Sequence, residues 1–143
     1  MKKCYLDANA LVYFCNRQSA KHQQTVALLT RLMREEYNLY ISPLCIDEFL
    51  HSLKQLFFQN KSMEEIWEQL NYALEGVLAI PRLLIIHTSS EKDKQKEVEQ
   101  LMRQYNMSPR DAYHLFTMHS HYLDCLATFD KDFSKVTTIT IIS

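Results

Sequence analysis

Apolar residues recur along this chain in two rhythms. Short apolar runs at 3–6, 39–41, 83–86, 125–127 and 137–142 predict strands, and the longer segments between them carry apolar positions at helical spacing. Val26, Leu29, Leu32 and Met33 form one such line within 21–37, and Ile46, Phe49, Leu50, Leu53 and Phe57 form another within 43–58. Ile66, Leu70, Ala73, Leu74 and Val77 run through 62–79, behind the capping-box pattern Ser62-Met-Glu-Glu65. Segment 91–105 is charge-rich with Val98, Leu101 and Met102 as its apolar line, which predicts a surface helix. Ser108, followed by Pro109 at the first helical position, opens a last helix to about His121. Tyr113 and Phe116 on it read as core residues.

Strands alternating with helices predict an α/β fold, a mainly parallel sheet of about five strands with helices on both faces. The helix pair across 43–79 is an excursion from that plan. No linker, repeat or low-complexity segment divides the chain, so residues 1–143 are expected to form a single domain. A chain of this size buries roughly 68 to 70% of its unfolded surface, enough for a substantial core. With 47% hydrophobic and 23% charged residues the composition is that of a globular protein and excludes a disordered one.

Cys4, Cys15, Cys45 and Cys125 form no C-x-x-C pair and have no histidine at zinc-ligand spacing, so they read as buried thiols in a reducing compartment. The start Met-Lys-Lys-Cys-Tyr-Leu-Asp lacks the apolar core of a signal peptide. No apolar run approaches the ~20 residues of a membrane span, and a cytoplasmic protein is expected. Net charge is −1, so a nucleic-acid partner has to be met by a local basic patch. Lys92-Asp-Lys-Gln-Lys96 is not that patch, because acids interleave with it.

Gly76 is the only glycine, which excludes phosphate-cradling loops of both the P-loop and dinucleotide type. No G-x-S-x-G elbow supports a serine hydrolase. Carboxylate chemistry remains. Asp7 follows the first strand, Glu48 lies one turn into the helix opened by Ser42-Pro43, Asp111 stands in Ser108-Pro-Arg-Asp-Ala-Tyr-His114, and Asp130 follows the fourth strand. Parallel neighbouring strands bring such residues to one sheet edge. Converged carboxylates repel one another and are tolerated mainly around a hard cation. Singly, each acid has an ordinary alternative: an N-cap at Asp7, a capping-box partner of Ser108 at Asp111, a turn at Asp130, a solvated surface at Glu48. Periodicity does not separate Glu48 from Asp47. His114, His119 and His121 have spacings that do not let one helix present them to a shared ion.

Tyr5-Leu-Asp7-Ala-Asn9, Ser42-Pro-x4-Glu48, Pro109-Arg-Asp111-Ala-Tyr-His114 and Thr128-Phe-Asp130-Lys-Asp132-Phe133 resemble, in order and spacing, the four acidic motifs of PIN-domain ribonucleases. The nearest likeness is to VapC-type toxins of toxin-antitoxin pairs. The resemblance spans nearly the whole chain and is strongest over 3–13 and 108–133. It implies a three-layer α/β/α sandwich and an endoribonuclease dependent on Mg²⁺ or Mn²⁺. Asp7, Glu48, Asp111 and Asp130 match the metal-site acids, with Asn9, Thr128 and Asp132 as polar support, and the pattern favours Glu48 over Asp47. It further implies an RNA substrate, a cognate antitoxin protein and a homodimer. Arg110, Lys131, Arg17 and Lys21 are the basic residues nearest the motifs and candidates for holding the RNA backbone. Three other readings stand beside it: a catalytically silent PIN module that binds RNA or protein, an RNA-processing nuclease outside toxin-antitoxin systems, and a phosphatase with an aspartyl nucleophile. The last wants a second aspartate where Asn9 stands.

Overall fold

The computed structural model describes residues Met1–Ser143. Strands β1 (Lys3–Leu6), β2 (Asn38–Ile41), β3 (Leu83–Ile85), β4 (Cys125–Ala127) and β5 (Thr140–Ile142) form one sheet in the order β3-β2-β1-β4-β5. Every pairing is parallel. Helices α1 (Ala8–Cys15) and α2 (His22–Arg34) link β1 to β2, and α3 (Pro43–Phe57) and α4 (Met63–Leu78) link β2 to β3. The chain then returns past β1 through α5 (Gln95–Tyr105) and α6 (Pro109–Ser120) to reach β4.

Because parallel crossovers are right-handed, links running in opposite directions along the sheet put their helices on opposite faces. Helix α1 packs on α2, α3 and α4, while α5 packs on α6. The result is the expected α/β/α sandwich. Between β1 and β4 the direction of winding reverses, and a crevice opens outside the carboxyl ends of these strands.

Tyr5, Leu6, Phe49, Leu53, Phe116 and Phe133 are among the fully buried residues of the core. Truncating Phe49 or Phe116 to Ala is worth about 3–5 kcal/mol of stability. Phe116 is core as expected, whereas Tyr113 is half-buried and donates its hydroxyl to Gln95 Oε1 at 2.8 Å.

The helical lines drift from the expected ones in two places. On α2 the buried set is Thr25, Leu28, Leu29 and Leu32, and Val26 is 38% exposed. Thr25 takes a core position because its hydroxyl is satisfied by the Lys21 carbonyl at 2.8 Å. On α3 the buried line is Cys45, Phe49 and Leu53, with Ile46, Leu50 and Phe57 half-buried along its flank. The last strand is shorter than the 137–142 run because only Thr140–Ile142 pairs with β4. The four cysteines are free thiols; Cys15 is half-buried, and Cys125 donates to Cys4 at 3.3 Å between β4 and β1. No helix is long and apolar enough to cross a membrane.

Candidate active site

Asp7 is the first residue beyond β1 and the N-cap of α1, and its backbone N–H still bonds the Ala127 carbonyl of β4 at 3.0 Å. The carboxylate is therefore fixed at the seam of β1 and β4. Oδ1 accepts from the Ala8 N–H at 2.7 Å and Oδ2 from the Thr128 hydroxyl at 2.7 Å. Thr128, first past β4, holds the seam from the other side: its Oγ1 also accepts from the Asp130 N–H at 3.0 Å and from Asn9 Nδ2 at 3.3 Å. Asn9 Oδ1 accepts from the Phe129 N–H at 3.5 Å.

Asp130 caps the single 3₁₀ turn Lys131–Phe133, accepting from the Asp132 N–H at 2.9 Å. Asp132 thus contributes its backbone here, and its side chain points to no partner in the cluster. Asp111 sits in the first turn of α6, where its backbone N–H donates to Ser108 Oγ at 3.2 Å. Glu48 flanks the buried line of α3, three residues after Cys45, and its Oε1 accepts from His114 Nε2 at 2.6 Å. Asp47 is exposed and lines a separate groove with Leu50, His51, Lys54 and Trp67.

Asp7, Glu48, Asp111 and Asp130 line one cavity of about 260 Å³, together with Asn9, Val12, Tyr13 and Ser52. No lysine or arginine lines it. Burial pushes the Asp7 carboxyl above its ordinary range, and nearby Glu48 adds to this, while the Thr128 hydroxyl and His114 act in the opposite sense. Asp111 is raised by burial and by Asp130 beside it, with the Ser108 hydroxyl acting against them. Burial alone would lower His114, but its bonds to Cys45 and Glu48 raise it to about 10.

One donor atom each from Asp7, Glu48 and His114 lie within 4.8 Å of one another. Spacing along the helix bears only on whether the histidines share an ion with one another; the structure adds that His114 touches Glu48. The signal in the sequence was its place three residues after Asp111, one turn along the same helix face. Its partner lies 66 residues away, a distance only the fold can close. Tyr13, Ser52, Tyr5 and Ser42 also belong to this region and were not anticipated.

The basic candidates scatter. Lys21 places its ammonium 5.0 Å from the Phe129 ring and 6.0 Å from that of Tyr13, a residue of the cavity wall. Arg17 lines a larger apolar groove of about 1190 Å³ with Phe14, Val26, Phe57 and Tyr72. Arg110 and Lys131 are exposed beside Asp111 and Asp130.

Fold and cavity together define a class: α/β/α sandwiches that gather carboxylates at the switch point of a parallel sheet. The chain belongs to the PIN domain family, whose model matches residues 4–139. Ribonuclease VapC6 of Methanocaldococcus jannaschii is 22% identical over 151 residues, covering 96% of this chain and 95% of that protein. Among solved structures, VapC20 of Mycobacterium tuberculosis, described as a sarcin-ricin loop cleaving toxin, matches with a TM-score of 0.70 at 15% identity, over 94% of this chain and 95% of that one. A toxin-antitoxin complex from Klebsiella pneumoniae matches at 0.64 and 20% identity, over 98% and 96% of the two chains. At these identities the structural matches speak for the fold.

Proposed function

We propose that this PIN domain is an endoribonuclease that hydrolyses RNA phosphodiester bonds with Mg²⁺ or Mn²⁺, and that it is the toxin of a toxin-antitoxin pair. One observation carries the reading: four carboxylates line a single small cavity that no lysine or arginine enters. Such an arrangement suits a hard cation, which takes oxygen donors. A carboxylate has about four lone-pair sites. Asp7 uses two of its own on Ala8 and Thr128, and this leaves acceptor capacity for a ligand.

In this reading Asp7, Glu48, Asp111 and Asp130 hold the cation, which when bound acidifies a water and offsets charge developing on the phosphate oxygens. Thr128 and Asn9 keep Asp7 and Asp130 in place, and His114 keeps Glu48. No side chain serves as nucleophile. Lys21, beside Tyr13 of the cavity wall, is suited to a backbone phosphate of the RNA. The family relatives named as ribonuclease, toxin and toxin-antitoxin complex support the RNA substrate and the antitoxin partner. The apolar groove beside Phe14, Val26 and Tyr72 offers such a partner a surface, since Val26 is 38% and Tyr72 77% exposed.

Expression in cells tests this reading. The wild-type chain is expected to arrest growth, with new RNA ends appearing at defined positions when cellular RNA is sequenced. Asp7→Asn, which keeps the capping oxygen and removes the charge, is expected to do neither. Equal arrest by folded wild type and folded variant, or arrest without new RNA ends, contradicts the proposal.

A further inference from the structure

Behind Glu48 lies a buried polar chain that the four acids do not require. His114 is 2% exposed, yet both its ring nitrogens are engaged: Nε2 with Glu48 Oε1 at 2.6 Å and Nδ1 with the Tyr5 hydroxyl at 2.8 Å. Tyr5, itself fully buried, also meets Ser42 Oγ at 2.7 Å and accepts from the Cys45 thiol at 3.1 Å. Cys45 Sγ in turn accepts from the Ser42 N–H at 3.4 Å, closing the N-terminus of α3.

We propose that His114 is a positioning residue for Glu48, fixing one carboxylate oxygen so that the other is presented to the cation beside Asp7. The proposal rests on the metal-dependent reading above. Glu48 is the one glutamate among the four acids, on a longer and more flexible side chain, and unlike Asp7 and Asp130 it accepts from no backbone N–H; its bond is to His114. A carboxylate only accepts, so Nε2 carries its proton whatever the charge of the ring, and the contact does not depend on His114 titrating. The far side of the ring is held by the Tyr5 hydroxyl, itself fixed by Ser42 and Cys45.

The placement of these groups explains why this device suits the fold. Tyr5 lies two residues before Asp7 on β1, and His114 three residues after Asp111 on α6. Ser42 and Cys45 open α3, which carries Glu48. The chain of bonds thus ties together the elements that bear three of the four acids, through their interior. A partner that orients a metal ligand is typically worth 10–100-fold in metal affinity.

Two isosteric amides separate orientation from packing. The side-chain nitrogen of Gln reaches the place of the imidazole Nε2, and that of Asn reaches only the place of Nδ1. Mn²⁺ binding to wild type, His114→Gln, His114→Asn and Glu48→Gln is to be measured by calorimetry and electron paramagnetic resonance, with folding checked by circular dichroism. His114→Asn is expected to weaken Mn²⁺ binding about 10-fold or more, and His114→Gln to stay within about threefold of wild type. In the Glu48→Gln background the His114→Asn change is expected to have no further effect. Folded His114→Asn with wild-type affinity overturns the positioning role alone. Failure of both amides to restore folding overturns it in favour of a purely structural histidine. Nitrogen hyperfine coupling on bound Mn²⁺ makes His114 a ligand and overturns it too. A wild type that takes up no Mn²⁺ refutes the metal-dependent function, and with it this inference.

Discussion

The Thr128 hydroxyl donates to Asp7 Oδ2 at 2.7 Å, joining the ends of two neighbouring strands through their first residues past the sheet. The same oxygen accepts from the Asp130 N–H at 3.0 Å, so one hydroxyl sets both a carboxylate and the turn that carries another. Thr128→Val keeps the shape and removes these bonds. It is expected to cost about 1–3 kcal/mol, since buried partners are left unsatisfied. Thr128→Ser is expected to be close to wild type. Urea unfolding of the three proteins without divalent metal measures the difference, and equal midpoints for Val and wild type contradict the role of the hydroxyl.

Asp111 is distinguished from its own cap by the geometry of Ser108. The bond that closes the start of α6 runs from the Asp111 backbone N–H to Ser108 Oγ, and any side chain at 111 preserves it. Ser108→Ala is therefore expected to lose about 0.5–2 kcal/mol with or without Mg²⁺. Asp111→Ala is expected to be near neutral without metal, because relief of repulsion from Asp130 and Asp7 opposes loss of the Ser108 hydroxyl's interaction with the carboxylate. With millimolar Mg²⁺ the wild type gains stability as RT ln(1 + [L]/Kd), and Asp111→Ala should gain much less. Melting curves with and without Mg²⁺ decide between the two.

Glu48 and Asp47 are adjacent in sequence but open onto different surfaces, the acidic cavity and the groove beside Trp67. Glu48→Gln is expected to abolish metal-dependent RNA cleavage, and Asp47→Asn to leave it within about twofold, as for surface substitutions that change stability by less than ~0.5 kcal/mol. Loss confined to Asp47→Asn reverses the assignment.

The sequence carried the sandwich, because alternation of strand and helix leaves few topologies open. It also carried the positions of Asp7, directly after β1, and Asp130, in the turn after β4. Periodicity did not separate Glu48 from Asp47, since the half-buried Ile46, Leu50 and Phe57 imitate a core line while the small thiol of Cys45 conceals the real one; only the resemblance to the family pattern favoured Glu48. Nor did it reveal the His114 contact, because spacing along a helix reports which residues share a face and says nothing of what that face meets. The basic residues were the weakest guide: nearness in sequence put Arg17 with the motifs, yet it lines the apolar groove.

Protonation of the acids sets a pH dependence opposite to that of a paired carboxylate. Asp7 titrates above its ordinary range, chiefly from burial. A raised folded-state value means that its stabilising contribution is present below the unfolded value and is lost as pH rises through the folded one. Without metal, Asp7→Asn is therefore expected to be stabilising at pH 8, with the gain shrinking toward pH 4. Unfolding midpoints of the pair in EDTA across this range measure it. A gain that grows on acidification contradicts the burial of a charged Asp7.

Purified protein and a structured RNA test the central claim most directly. Cleavage is expected in Mg²⁺ or Mn²⁺, to stop when EDTA exceeds the metal, and to resume when metal is restored, with Asp7→Asn inactive throughout. Undiminished cleavage in excess EDTA, or cleavage by folded Asp7→Asn at the wild-type rate, contradicts a metal-dependent nuclease built on this acidic cavity.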